Sequence, residues 1–338
     1  MQKIIYAMNL ERIKTKITES NNIGLLYGKT GACIIAFLLN DKKIGLDKKM
    51  AEELLTDVLD KINMNMPLNI SEGLSGIGIG INYLLKNKYV EGNPDVVLKE
   101  IDETLYRKIV YFDKNDNIDC MGLCEILYYV LVRLKTGIKN KMERRIFEEF
   151  AKKCINLVYM GKKIEFFEEP LPYNMHYPLP FFLYLCSVMY DMGIYKERVR
   201  HILDEIRTVA FTRVPFLNCN KLILMSAVLH VAKSINDGSW YEYLGLLHHS
   251  FSSDEMLGNE IGEKQIYLTD GLLGLSLIID DYNEICPEAE LKVHVPNINN
   301  LLLQSSEMKA IECSNKNIKI GLDGLLGVFV YLKNKSLI

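Results

Sequence analysis

The chain has 338 residues, enough for one large or two ordinary domains. Lys and Arg number 40 and Asp and Glu 43, a net charge of −3 spread in both signs along the chain, so there is no electrostatic case for nucleic acid and no polybasic membrane anchor. No apolar run reaches the roughly 18 residues of a membrane span, and Glu11, Arg12, Lys14 and Lys16 follow the N-terminal segment too soon for a signal peptide, so a cytoplasmic protein is expected.

Taken in order, the chain alternates two kinds of predicted helix. The N-terminal stretch up to Ile17 supplies a first amphipathic segment. Gly24-Leu25-Leu26-Tyr27-Gly28-Lys29-Thr30-Gly31 then leads into the apolar run Ala32–Leu39. Asp47–Met64 is amphipathic, with Met50, Leu54, Val58 and Ile62 on one stripe. Gly73-Leu74-Ser75-Gly76-Ile77-Gly78-Ile79-Gly80 opens a second apolar helix. Asn93-Pro94 places a capping residue and a first-turn proline before a helix with the stripe Val97, Ile101, Leu105 and Ile109. Gly122-Leu123-Cys124-Glu125-Ile126 is a weaker copy that runs into Leu127–Val132, followed by a stripe of Met142, Ile146, Phe150, Cys154, Leu157 and Val158.

The next two copies have lost their glycines. The proline-rich stretch Glu168–Asn174 reads as a loop, and Pro178–Leu185 and Asn220–Met225 keep only the apolar helix. Between them lies the stripe Val199, Leu203, Ile206 and Ala210. Trp240–His249 and Asn297–Leu303 are shorter amphipathic segments around Gly271-Leu272-Leu273-Gly274, and Gly321-Leu322-Asp323-Gly324-Leu325-Leu326-Gly327 is the last copy. Counted from Gly24, Gly73, Gly122, Gly271 and Gly321, the clear intervals are 49, 49 and 50 residues, and the 149 between Gly122 and Gly271 leave room for the two glycine-poor copies.

Helices apolar on most faces need neighbours on every side, and a closed ring supplies them. The expectation is therefore all-α: an α/α toroid of seven helical hairpins, inner and outer rings, forming a single domain over residues 1–338. Glycines three apart share a helical face and let another backbone come close.

This pattern resembles the lanthionine synthetase C-like (LanC-like) family, over essentially the whole chain. The resemblance implies a protein of peptide modification in lanthipeptide-type biosynthesis, with a precursor peptide and other biosynthetic enzymes as partners. Family cyclases add a peptide thiol to a dehydrated Ser or Thr, at a zinc held by Cys, Cys and His. The first ligand precedes the fifth inner helix in a Trp-Cys-x-Gly motif, and the other two form Cys-His-Gly before the sixth. A further His before the fourth serves as acid/base. Carried over by position, Cys219 stands at the first ligand, Thr269 and Asp270 replace the Cys-His pair, and His176 stands at the acid/base position. One ligand of three survives, and Thr loses the soft thiolate. The expected cofactor is therefore none, and the expected protein a divergent, non-cyclising member that binds a peptide at the toroid mouth. A remodelled metal set of Cys219, Asp270 and His176 is the alternative, since zinc accepts Asp oxygen.

Each of these residues also has a structural explanation. Cys219 suits a buried thiol at a helix start, His176 a loop histidine held by a hydrogen bond, and Asp270 an N-cap. The eight cysteines lack any Cys-x-x-Cys, and Cys120 and Cys124 read as core. His248 and His249 read as outer-helix residues, while His201, His230 and His294 carry no spacing signal. Glu72, Asp119, Asp270 and Asp323 all precede inner helices. They suit helix dipoles, or a carboxylate pair in a carbohydrate-active enzyme with Tyr27, Tyr177 and Phe181 as stacking platforms. A non-catalytic scaffold is the third alternative.

Overall fold

A computed structural model of the chain describes residues 13–40, 46–112, 118–161, 164–261, 265–295, 298–305 and 319–335. The first twelve residues of the N-terminal segment, Cys313 and Asn297 lie outside them. Contacts group the chain into two compact units, Met1–Asn117 with Tyr128–Lys153 and Glu307–Ile338, and Ile118–Leu127 with Cys154–Ser306. The described residues form helices and no sheet, and none of their helices is long and apolar enough to cross a membrane.

In the first unit, residues 13–19 form α1, which buries Ile13 and Ile17. Helix α2 (Lys29–Leu39) is buried along almost its whole length and packs against α3 (Lys48–Lys61) and α4 (Leu74–Lys86). Asp47 caps α3 by accepting from the Met50 amide at 2.9 Å. The buried stripe of α3 is Ala51, Leu54 and Val58, with Met50 half-buried. The segment after Asn93 breaks in two, α5 (Pro94–Val97) and α6 (Lys99–Val110), about the buried Leu98. Ile101, Leu105 and Ile109 are buried as expected, but Val97 is exposed.

Helices α7 (Cys120–Thr136) and α8 (Lys141–Gly161) each contribute to both units. In α8 the buried face is Phe147, Phe150, Ala151, Cys154, Ile155 and Val158, whereas Met142 and Ile146, assigned to its stripe, are exposed. Within the first unit, Arg133 of α7 is 2% exposed and bonds Asp102 at 2.9 Å and Asp95 at 3.1 Å, while the Tyr129 hydroxyl donates to Asp102. This network ties α7 to α5 and α6, and a buried cation of this kind needs such partners. The last helix of the chain, called α16 below (Leu325–Asn334), packs against α2.

In the second unit, α9 (Pro178–Asp191), α11 (Asn218–Ile235) and α14 (Leu272–Ile285) are the apolar helices. Helix α11 packs between α9 and α14 and also meets α12 (Gly238–His249). The amphipathic α10 (Lys196–Ala210) lies on α9 and buries Val199, Leu203, Ile206 and Ala210, as the stripe predicts. Trp240 anchors α12 at 0% exposure. A short α13 (Ser253–Glu255) runs into a π-helical turn, Met256–Glu260, and α15 (Ile298–Gln304) lies against α14.

The glycines repeat for a reason that the structure makes explicit. The first amides of a helix have no intrahelical acceptor. At α2, α4 and α14 the preceding loop folds back, and the carbonyl seven residues earlier accepts instead. Lys29 donates to Asn22 at 2.9 Å, Leu74 to Pro67 at 2.8 Å and Leu272 to Gln265 at 3.0 Å. This brings loop backbone onto the space of two side chains per helix. A Cβ on Gly31, Gly76 or Gly274 would sit 2.1, 1.8 or 2.0 Å from the carbonyl oxygens of Leu25, Ile70 and Leu268. Cap glycines Gly28, Gly73, Gly271 and Gly324 are extended rather than left-handed, so space and not backbone freedom selects them. The structural register therefore runs through Gly28, Gly73, Gly271 and Gly324. Counting from Gly24 and Gly321 misplaces the first and last copies, and Gly122 lies inside α7 rather than at its cap.

Two outcomes test this account. Gly76→Ala should cost more than about 3 kcal/mol in urea unfolding, since two backbones must separate, whereas Gly245→Ala, with nothing within 4 Å, should be neutral or stabilise by up to about 0.5–1 kcal/mol. Lys29 is 5% exposed and bonds Asp57 at 2.6 Å and the Thr18 carbonyl at 3.1 Å. Its hydrogen bond, with that of Lys61, holds the Asp57 carboxyl below the usual range. Asp57→Asn should cost about 2 kcal/mol at neutral pH. Because a lowered pKa stabilises only above it, the variant and the parent should converge as pH falls through the Asp57 titration.

Candidate functional site at the head of helix α11

The glycine-poor copies satisfy their first amides by other means. Helix α9 begins Pro178-Leu179-Pro180, and prolines have no amide to satisfy. Helix α11 uses carboxylates. Glu169 accepts from the Phe216 amide at 2.7 Å and the Leu217 amide at 3.4 Å, and Glu260 from the Asn218 amide at 2.7 Å and the Cys219 amide at 2.8 Å. Asn218 is held by Nδ2 on Glu260 at 2.8 Å and by accepting from the Ser252 amide at 2.9 Å. Burial raises the Glu169 carboxyl above its ordinary range, despite the two amides it accepts.

Three loops meet here. The 168–177 loop is fixed to α11 by the Glu169 cap and by Asn220 Nδ2 on the Pro170 carbonyl at 3.0 Å. It is fixed to the loop before α14 by the Met175 amide on the Thr269 carbonyl at 2.8 Å. Met175 also packs over Gly274, where a Cβ would lie 2.8 Å from its sulfur.

The residues singled out in the sequence take the following places. Cys219 is fully buried in the first turn of α11, and burial, then the neighbouring Glu260, push its thiol far above the ordinary range. It is a neutral thiol at neutral pH, not a thiolate. His176 is half-buried, and both its amide and its Nδ1 lie 2.8 Å from Asn174 Oδ1. The Met175–Thr269 bond places His176 one residue from the segment that carries Thr269 and Asp270. Thr269 is buried and Asp270 half-buried. Asp270 does not fill the N-cap position expected of it: the cap is Gly271, with no side-chain cap bond, because the folded-back loop already serves those amides.

Residues outside the sequence reading complete the site. Tyr173 is 2% exposed, its hydroxyl has no hydrogen-bond partner among the described residues, and burial, then Cys219 and Asp270, raise its pKa. Glu260 is 41 residues from Cys219 and lies in an irregular polar segment, so spacing gave no hint of it. Glu169 was visible only as part of a proline-rich loop.

The zinc that the resemblance implies can be tested against this donor set. Its positions hold a buried neutral thiol beside a carboxylate, a buried Thr and an Asp. Among the described residues no three His, Cys, Asp or Glu side chains are grouped to hold a metal ion. The set does not fit a Cys/Cys/His zinc.

The other carboxylates at helix heads have structural partners. Glu72 accepts from Asn22 at 2.8 Å, Asp119 from the Gly122 amide at 2.7 Å, and the fully buried Asp323 pairs with Lys319 at 3.1 Å. Tyr177 is buried and cannot stack on a sugar, a correction to the platform expected of it. Cys124 is core, as expected.

Among solved structures the chain is similar to nisin cyclase, with a TM-score of 0.69 and 13% identity, covering 97% of this chain and 93% of that one. No protein-family model and no curated protein sequence matches it. The likeness establishes the fold: all-α, an α/α toroid, as the glycine repeat predicts.

Removing the Glu260 carboxylate should expose how much the head of α11 depends on it. Glu260→Ala strands two backbone amides and an Asn218 amide hydrogen, and should lower stability by about 2–4 kcal/mol. Glu255→Ala, which removes one long bond of 3.3 Å made by an exposed residue, should change it by less than about 0.5 kcal/mol. Equal losses in denaturant titration would contradict this assignment.

Proposed function

We propose that this chain is a LanC-like protein of peptide modification, a non-cyclising member that holds a precursor or modified peptide at the mouth formed by residues 168–177, 211–217, 250–261 and 265–270. The observation that supports this most directly is the convergence of these loops on Cys219, Asp270 and Tyr173, in a fold shared along nearly its whole length with a protein named nisin cyclase. The protein would act in the cytoplasm beside the enzymes that supply the peptide.

The chemistry of the residues favours binding over thiol addition. A cyclase must present the peptide thiol as a thiolate, and in this site the Glu260 carboxylate faces the one retained ligand position. His176, oriented by Asn174, is the group placed to hold or pass a proton at its imidazole.

The test uses a dehydrated, cysteine-containing synthetic peptide. The expected result is that the peptide binds, that its free thiol, counted by alkylation, is consumed no faster than without protein, and that purified protein holds far less than one zinc per chain. Stoichiometric zinc lost in Cys219→Ala, with protein-dependent thiol consumption, would reinstate the cyclase. Failure of every peptide to bind would remove the peptide reading.

A further inference from the structure

The 211–217 loop presents an apolar surface beside a surplus of negative charge. Phe216 is 82% exposed, Leu171 67% and Val214 55%, although large apolar side chains are normally covered. They adjoin one another through the backbone, since Glu169, two residues from Leu171, accepts from the Phe216 amide at 2.7 Å. The same loop continues to a groove of about 360 Å³ between α10 and α12, lined by Arg207, Phe211, Ser239, Glu242, Tyr243 and Leu246. The Tyr243 hydroxyl donates to the Arg213 carbonyl at 2.6 Å, which fixes the loop to the groove edge. Mouth and groove thus share one wall, the 211–217 loop.

The charges along this wall are unbalanced. Glu169 and Glu260 cap the head of α11, Glu255 bonds Asn218, Glu242 lines the groove, Asp270 lies beside Tyr173, and the exposed Glu168 precedes Glu169. Among the described residues of these segments the cations are Arg207, paired with Asp237 and bonded to Ser239, Lys221, bonded to the Ser250 carbonyl, and Arg213. The head of α11 is closed to an anion, because carboxylates already take its amides. An independent sign of a ligand is the Tyr173 hydroxyl, buried at 2% exposure beside Cys219 and Asp270 and without a hydrogen-bond partner among the described residues, since buried hydroxyls are normally satisfied.

We infer that the mouth and groove bind an extended peptide segment in which apolar residues alternate with basic ones, the apolar side chains seated on Leu171, Val214 and Phe216 and the cations facing the carboxylates. This rests on the peptide reading above and names the class of peptide. Binding covers apolar surface that Phe216 and Leu171 now expose, so losing both side chains should weaken it about tenfold. The electrostatic part should weaken with salt.

The experiment is fluorescence anisotropy on the full chain with three labelled synthetic peptides. One alternates lysine with phenylalanine and leucine, one carries glutamate in place of each lysine, and one carries serine in place of each apolar residue. The lysine–apolar peptide should bind, more weakly as salt rises, and the other two at least tenfold more weakly. Leu171→Ser with Phe216→Ser, both exposed and so compatible with folding, should weaken it about tenfold with an unchanged circular-dichroism melting curve. Glu168→Gln, on an exposed side chain, should weaken it to a smaller degree. Equal binding of the lysine and glutamate peptides, with sensitivity to the double variant, would overturn the charge class and leave the peptide reading standing. Binding indifferent to the double variant would overturn the docking surface. No binding by any of the three would count against the peptide reading itself.

Discussion

Every apolar helix in this chain must solve the problem of first-turn amides that have no acceptor. In α2, α4 and α14 the answer is the backbone of the loop just before the helix, turned back so that a carbonyl seven residues earlier accepts. That geometry brings a carbonyl oxygen to within about 2 Å of where a Cβ would stand, and only glycine is compatible with it. The same loops then bond one another. Within the first unit the Leu26 amide donates to the Ser71 carbonyl and the Asp323 amide to the Leu26 carbonyl; within the second, the Met175 amide donates to the Thr269 carbonyl. Glycine selection, helix start and loop-to-loop stitching are consequences of one arrangement.

Where glycine is missing, the amides are met by other chemistry. Helix α9 removes the donors with prolines, and α11 answers them with Glu169 and Glu260. A backbone carbonyl is neutral, whereas a carboxylate carries a full charge. Helix α11 therefore begins with carboxylates bonded directly to its first amides, where α2, α4 and α14 have loop carbonyls. The substitution that made this copy hard to recognise in the sequence also sets the electrostatics of the site.

Much of the architecture was legible because it rests on short-range periodicity. Ile101, Leu105 and Ile109, and Val199 through Ala210, fall on buried faces as their spacing requires. The failures have specific causes. Met142 and Ile146 continue the period of α8 but are exposed, since the first turns of that helix bury Phe147 instead. The copy containing Gly24 carries two glycines that fit the spacing, Gly24 and Gly28, and only the loop carbonyls decide that Gly28 is the cap. Asp270 looks like an N-cap by type and position, but the loop backbone had already taken that role. At the site, Cys219, Asp270 and His176 were found by position within the repeat, while Glu169, Glu260 and Tyr173 were not, because contacts made by irregular loops across 41 residues or more leave no periodic trace.

The state of Cys219 follows from the same cap. A thiol one position into a helix ordinarily benefits from the dipole, which favours the thiolate. Here Glu260 intercepts that benefit: it takes the Asn218 and Cys219 amides itself and faces the thiol with its own charge. Two anions cannot share so buried a space without a cation between them, so with Glu260 ionised the thiol keeps its proton. A metal at this position would have to displace Glu260 from the helix head and strand the amides it caps. The replacement of the family's Cys-His pair by Thr269 and Asp270 and the presence of Glu260 thus point the same way: the residues at this helix head do not suit the zinc that the resemblance implies.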